Sequence, residues 1–160
     1  MRMAPMAEAD LDAVLAVQAA CYPPAMQEAA DVVRGRLCAS ADTVLVARDA
    51  DGICAYLFAY PSRLGKVTPL GGGFALPLEP DTLYLHDLAV APRAAGQGLA
   101  RRLVARLLSH AAVRGLAHSA LVSVQDSRRF WESAGYARAP GDADALATYP
   151  PDALYMARRL

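Results

Sequence analysis

Apolar positions in the first forty residues recur at three- and four-residue intervals. Leu11, Val14, Leu15 and Val17 follow Asp10 in this way and predict a helix from Asp10 to about Ala20. Tyr22-Pro23-Pro24 ends it, because proline cannot continue a helical hydrogen-bond ladder. A second helix is expected from Met26 to Ala39, with Val32, Val33 and Leu37 inward and Gly35 weakening it. The short opening segment Met1 to Ala4 reads as a strand.

The pattern then changes. Thr43 to Arg48 and Ile53 to Tyr60 are rich in β-branched and aromatic residues, and Asp49-Ala50-Asp51-Gly52 between them carries turn chemistry, so the pair reads as an antiparallel hairpin. From Pro61 to Asp81 four prolines and the triplet Gly71-Gly72-Gly73 interrupt any period. An irregular stretch of that length inside a small domain suggests a substrate-side lid. Leu83 to Val90 reads as a strand, Gly98 to Val113 as an amphipathic helix, Leu116 to Val124 as a strand and Ser127 to Ala134 as a short helix closed by Gly135. Strand, helix, strand in that order is a crossover unit with parallel strands. Residues 136–139 and 153–159 supply closing strands. The class is α/β, in an α+β layered form, with a sheet antiparallel early and parallel in the middle.

Composition narrows this to one domain spanning residues 1–160. A chain of 160 residues, 55% of them hydrophobic, buries roughly 70% of its unfolded surface on folding and needs no staples. Sixteen Lys and Arg balance 16 Asp and Glu, which removes the excess cationic charge that nucleic-acid binders use for counterion release. No run approaches the ~20 apolar residues of a membrane span, and the N-terminus lacks the layout of a signal peptide, so a cytoplasmic protein is expected. Cys21, Cys38 and Cys54 are widely separated, with no C-x-x-C pair, which fits neither a disulfide framework nor a zinc site.

The candidate chemistry lies in the middle of the chain. Ala95-Gly96-Gln97-Gly98-Leu99-Ala100 joins a hydrophobic strand to the start of a helix whose apolar stripe is Leu99, Leu103, Val104, Leu107 and Leu108. Glycines let backbone N–H groups turn outward, and with the positive end of the helix dipole such a turn suits phosphate. The Rossmann fingerprint is incomplete here, since the third glycine and the downstream acid are missing. The Walker pattern lacks its G-K-[ST].

The stretch from Leu83 to Leu108 resembles the acetyl-CoA-binding core of the GNAT superfamily of N-acetyltransferases. That family carries an L-x-V-like tripeptide, here Leu88-Ala89-Val90, then [QR]-x-x-G-x-[GA], here Ala95 to Ala100 with Ala in the first place. A second register, Arg93 to Gly98, restores the arginine but starts two residues earlier. Phe130-Trp131-Glu132-Ser133-Ala134-Gly135-Tyr136 is similar to the family's F-Y-E-K-x-G-F, and Ala9-Asp10-Leu11-Asp12 to its helix opening. The resemblance covers nearly the whole chain. It implies a mixed, mostly antiparallel central sheet with flanking helices and a parallel, splayed strand pair. It also implies acetyl-CoA as cosubstrate without a metal, a small amine or peptide acceptor, and a homodimer as a common state.

By the same resemblance the pantetheine arm pairs with Leu88, Ala89 and Val90. The pyrophosphate rests on Gly96, Gln97, Gly98, Leu99 and Ala100, with Arg101 near it; Ser127, an N-cap by its own pattern, is a further cofactor contact. Strand alternation puts Tyr84 and His86 on one face and Leu85 and Asp87 on the other. The layout is similar to the arylalkylamine acetyltransferase branch, which makes His86 the expected general base, Asp87 the competing one and Tyr84 a neighbour in the site. A lone strand histidine otherwise reads as a structural one. Trp131 stands where the family places its acidic tyrosine, and an indole N–H does not deliver a proton; Tyr22, Tyr84 and Tyr155 are the substitutes. Val124 stands where the family has asparagine. Tyr22, Glu28 and Phe74 are the acceptor-side candidates. The replacement of that tyrosine also leaves open a non-catalytic acyl-CoA sensor.

Overall fold

Seven strands form one sheet, and it parts near its middle. The computed structural model describes all 160 residues. The chain starts with β1 (Arg2–Pro5), α1 (Leu11–Cys21) and α2 (Ala30–Ala39). The hairpin β2 (Val44–Asp49) and β3 (Gly52–Ser62) follows, then β4 (Thr82–Val90), α3 (Leu99–Val113), β5 (His118–Ser123) and α4 (Arg128–Ser133). The closing elements are β6 (Ala137–Arg138), α5 (Ala143–Leu146) and β7 (Leu154–Arg159), and the strand order is β1-β2-β3-β4-β5-β7-β6. Every neighbouring pair is antiparallel except β4 and β5. This is the mixed, mostly antiparallel sheet with one parallel pair that the sequence led us to expect.

β3 is buried at every position from Ile53 to Ser62, so both faces of the sheet are covered there. Such continuous burial selects an unbroken apolar and aromatic run in place of alternation. α1 and α3 both pack against β3 and β4. α3 does so through Leu99, Leu103, Val104, Leu107 and Ala111, a stripe at helical spacing; burying each of its large side chains contributes about 1.5–3 kcal/mol.

Two expectations need correction. The second helix begins at Ala30, not Met26. The side-chain amide of Gln18 accepts from the Glu28 N–H (3.0 Å) and donates to the Glu28 carbonyl (3.1 Å), which holds that residue outside any helical ladder. The irregular stretch after β3 is a packed roof. Val67, Thr68 and Phe74 are buried, the Tyr60 and Thr68 hydroxyls are bonded, and Tyr149 donates to the Thr68 carbonyl at 2.7 Å. α5 was absent from the sequence reading; Asp142 caps it by accepting from the Asp144 and Ala145 amides.

Candidate active site

β4 and β5 pair only from Thr82 opposite His118 to Leu85 opposite Leu121. Beyond that point β4 continues against β3 and β5 continues against β7, so the two strands diverge. A bulge sits at the point of parting. Phe58 faces Asp87 and Ala59 faces Leu85, leaving His86 as an extra residue with no partner on β3. A bulge adds twist and re-aims side chains.

Its effect corrects the alternation read from the sequence. Leu85, His86 and Asp87 line the cleft in succession, and His86 and Asp87 also border a second, smaller cavity behind it. Tyr84 lines neither. Its ring lies 6.1 Å from that of His86, fully buried beside Tyr60, and burial pushes its hydroxyl well above the ordinary tyrosine pKa.

The cleft between the diverging strands has a volume of about 230 Å³. On one side the Ala91 N–H donates to the Cys54 carbonyl, so alternation turns the backbone groups of Leu88 and Val90 away from β3. Their carbonyls accept from the Tyr22 hydroxyl (3.2 Å) and the Cys21 thiol (3.2 Å). The opposite side is formed by Val122, Val124, Ser127, Phe130 and Trp131. Gln125 and Asp126 have φ of 52° and 57°, a conformation that costs non-glycine residues roughly 1–2 kcal/mol each, and the Gln125 amide reaches across to the Cys21 carbonyl (3.3 Å).

At the open end Gly98 is the N-cap of α3 with φ of 73°, and Gly96 has φ of 78°. No side chain caps this helix, and none of the amides from Gly96 to Arg101 donates to a protein acceptor. These are free N–H groups at the positive end of a 15-residue helix dipole. A Cβ at Gly98 would meet nothing within 4 Å, so the requirement for glycine there is conformational. Gly98→Ala is expected to cost about 1–2 kcal/mol in urea unfolding through strain alone.

The remaining sequence candidates fall in different places. Arg101 leans away from the amide turn, donating to Ser133 Oγ at 2.6 Å with its guanidinium 5.4 Å from the Phe130 ring centre. Ser127 lines the cleft, but its hydroxyl donates to the Val124 carbonyl (2.7 Å) and makes no cap. Phe74 stacks on Tyr60 at 4.1 Å and stands edge-on to His86 at 5.7 Å, behind the cavities. Tyr22 borders both cavities and donates to Asp87 at 2.9 Å, and Tyr56 donates to the other carboxylate oxygen at 2.9 Å. Burial raises the Asp87 pKa despite these donors and the nearby His86, and burial followed by the Asp87 charge pushes Tyr22 well above its usual range.

Glu28 is not the solvated helix carboxylate that its residue type suggests. It borders the smaller cavity, and its side chain is 4% exposed. Arg36 grips it with two donors at 2.6 and 2.5 Å, the Gly71 N–H donates to it at 2.8 Å, and His86 Nε2 lies 3.2 and 3.3 Å from its two oxygens. Burial alone would raise its pKa, but the Arg36 and His86 hydrogen bonds outweigh that and hold it well below the ordinary glutamate value. Arg36, Gln18 and Tyr56 escaped the sequence reading. Arg36 did carry a signal, because it falls between Val33 and Leu37 on the inner stripe of α2.

The sheet thus splits around a cleft that has backbone groups without strand partners on one side and an uncapped helix N-terminus beside it. The model of the acetyltransferase (GNAT) family matches residues 11–136, and the chain belongs to that family. Among solved structures, the loading GNATL domain of CurA from Lyngbya majuscula superposes with a TM-score of 0.81 at 13% identity, covering 99% of this chain and 96% of that one. The ribosomal-protein-S18-alanine N-acetyltransferase from Escherichia coli gives 0.71 at 18% identity, covering 99% and 92%. The GphF GNAT-like decarboxylase in complex with isobutyryl-CoA gives 0.76 at 18%, covering 99% of each chain. At these identities the likeness is one of fold. No curated protein matches the chain by sequence. No helix is long and apolar enough to cross a membrane.

Proposed function

We propose that this protein transfers an acetyl group from acetyl-CoA to a primary amine of a small molecule or peptide by direct attack, with His86 taking the amine proton. The observation that carries this reading is the seam between β4 and β5. There the Leu88 and Val90 backbones lack strand partners, and an uncapped amide turn and a buried histidine stand on the same strand-loop-helix unit. Leu88 and Val90 take the pantetheine amides as an added strand would, while the Ala89 backbone, expected from the sequence to join them, faces Tyr56 of β3. Gly96, Gln97, Gly98, Leu99 and Ala100 take the pyrophosphate through their N–H groups, so Ala95 in place of Gln or Arg is tolerated. Ser127 borders the same cleft, while Arg101 is turned toward Ser133 and Phe130.

In the reaction the amine nitrogen attacks the thioester carbon, the amine proton passes to His86 and the C–S bond breaks. Asp87 is less suited to be the base, since both its oxygens already accept from tyrosines at 2.9 Å. The Tyr22–Asp87 pair fits the other half of the proton traffic. Tyr22 borders the cleft, its pKa is raised well above the ordinary value by burial and the Asp87 charge, and in this reading it gives its hydroxyl proton to the departing thiolate. Trp131 packs edge-on against Phe130 and Tyr136 and contributes shape alone. The peptide acceptor draws support from the solved relative that acetylates an S18 alanine, and acyl-CoA binding from the relative holding isobutyryl-CoA.

Thermal unfolding with acetyl-CoA, CoA, ATP and NAD tests the binding half. Acetyl-CoA at ~100 times its Kd is expected to stabilise by about 2.7 kcal/mol, with no shift from NAD. Amine-dependent release of CoA thiol, read with aromatic amines, aliphatic amines and an N-terminal alanine peptide, tests the chemical half. Binding without thiol release from any of them leaves the acyl-CoA sensor that the Tyr-to-Trp replacement suggests. A shift with NAD or ATP alone removes both readings.

A further inference from the structure

Glu28 and Arg36 form the most deeply buried ion pair in the molecule, with side chains 4% and 1% exposed. Gln18 clamps the main chain of Glu28 and Arg36 neutralises its side chain, so neither oxygen is free for a ligand. The carboxylate is therefore not the counter-charge for a cationic substrate, although its place in the smaller cavity invites that role.

What remains is its contact with His86. A carboxylate held this far below the usual pKa offers only lone pairs, so the His86 nitrogen facing it, Nε2, carries a hydrogen. The other ring nitrogen, Nδ1, is buried without any hydrogen-bond partner. A buried polar atom left unpaired is costly, and such atoms in native proteins call for a functional account. A lone pair kept free for an incoming proton is such an account.

We propose that Glu28 is a positioning residue that holds His86 in the Nε2–H form, leaving Nδ1 as the one basic nitrogen of the ring. Arg36 offsets the carboxylate charge, so the pair orients the ring without placing an uncompensated anion beside it. The charged and titratable groups around the ring are Glu28 from the α1–α2 connection, Asp87 and Tyr84 from β4, and Tyr22 and Tyr149, which line the same smaller cavity. Arg36 of α2 stands behind Glu28. Phe74 of the roof stands edge-on to the ring at 5.7 Å. The role of Nδ1 rests on the acetyl-transfer reading; the arrangement of hydrogens does not.

Nitrogen NMR of protein labelled at its three histidines separates the two. His86 is assigned by its loss in His86→Gln. At neutral pH the His86 signals are expected to show a bare Nδ1 and a protonated Nε2, without added ligand. In the double variant Glu28→Leu/Arg36→Met, which removes both charges together, the ring is expected to become a mixture of the two tautomers. An Nδ1–H form in the wild-type protein overturns the inference, as does an unchanged tautomer in a folded double variant. Should the double variant not fold, the wild-type spectrum decides by itself. Failure of every amine to release thiol would sink the acetyl-transfer reading and leave this spectrum standing.

Discussion

His86→Gln is expected to lower kcat for the acetyl-transfer reaction by about 10²–10⁴-fold, with the affinity for acetyl-CoA and the unfolding midpoint close to wild type. Glutamine is the informative replacement because its amide keeps a donor for Glu28 and fills much of the same space while lacking a basic nitrogen. In the proposed reading acetyl-CoA is held by the Leu88 and Val90 backbones and the amide turn before α3, contacts that do not involve the imidazole. Loss should therefore appear in kcat and not in binding, the signature of an interaction made only in the transition state. Asp87→Asn is the comparison, expected to cost less than His86→Gln because it disturbs only the Tyr22 half of the proton traffic. A larger loss in Asp87→Asn than in His86→Gln, read in the same steady-state assay, would hand the base to Asp87.

Arg36→Met is expected to be the most damaging single change for stability, at about 3–5 kcal/mol, because it leaves Glu28 buried without its counter-ion. For a domain of this size that corresponds to roughly 10 °C in the thermal midpoint. The roof should loosen with it, since the same guanidinium donates to the Gly72 carbonyl at 2.5 and 3.0 Å. The pH dependence follows from the direction of the Glu28 shift. Its pKa is depressed in the folded protein, so the stability it contributes is complete above the unfolded value of about 4.3 and is lost as pH falls below it. The gap between wild type and Arg36→Met in urea unfolding should thus be widest near neutrality and narrow toward pH 3. A gap independent of pH would mean that Arg36 acts through its packing and roof contacts alone.

The early hairpin, the parallel pair and the glycine turn were legible in the sequence because each has a short-range cause. Val and Ile runs make strands, the Asp49–Gly52 stretch makes a turn, and Gly96 and Gly98 supply a left-handed backbone before an apolar stripe. The bulge at His86 was not legible. It arises from the register of β4 against β3, a property of two segments about thirty residues apart, and one extra residue re-aims every side chain around it. Glu28 misled for a related reason. Its residue type suits a solvated helix, and only the long-range clamp from Gln18 and the fork from Arg36 draw it inside. Tyr84, grouped with His86 by alternation, shares its neighbourhood but not its access to the cleft.

The parting of β4 from β5 also divides a single strand into two kinds of backbone. The amides of β4 that face β3 sit in a continuous ladder and should resist exchange with heavy water nearly as long as the whole fold survives. Those of Leu88 and Val90, only one residue away in each case, face the seam and should exchange on the timescale of a surface loop. One strand would then give an alternating record of fast and slow protons along its last turnings, at the heart of a seven-stranded sheet. An extended chain of amides laid in the seam would erase that alternation, leaving the sheet with an eighth strand that the polypeptide does not encode.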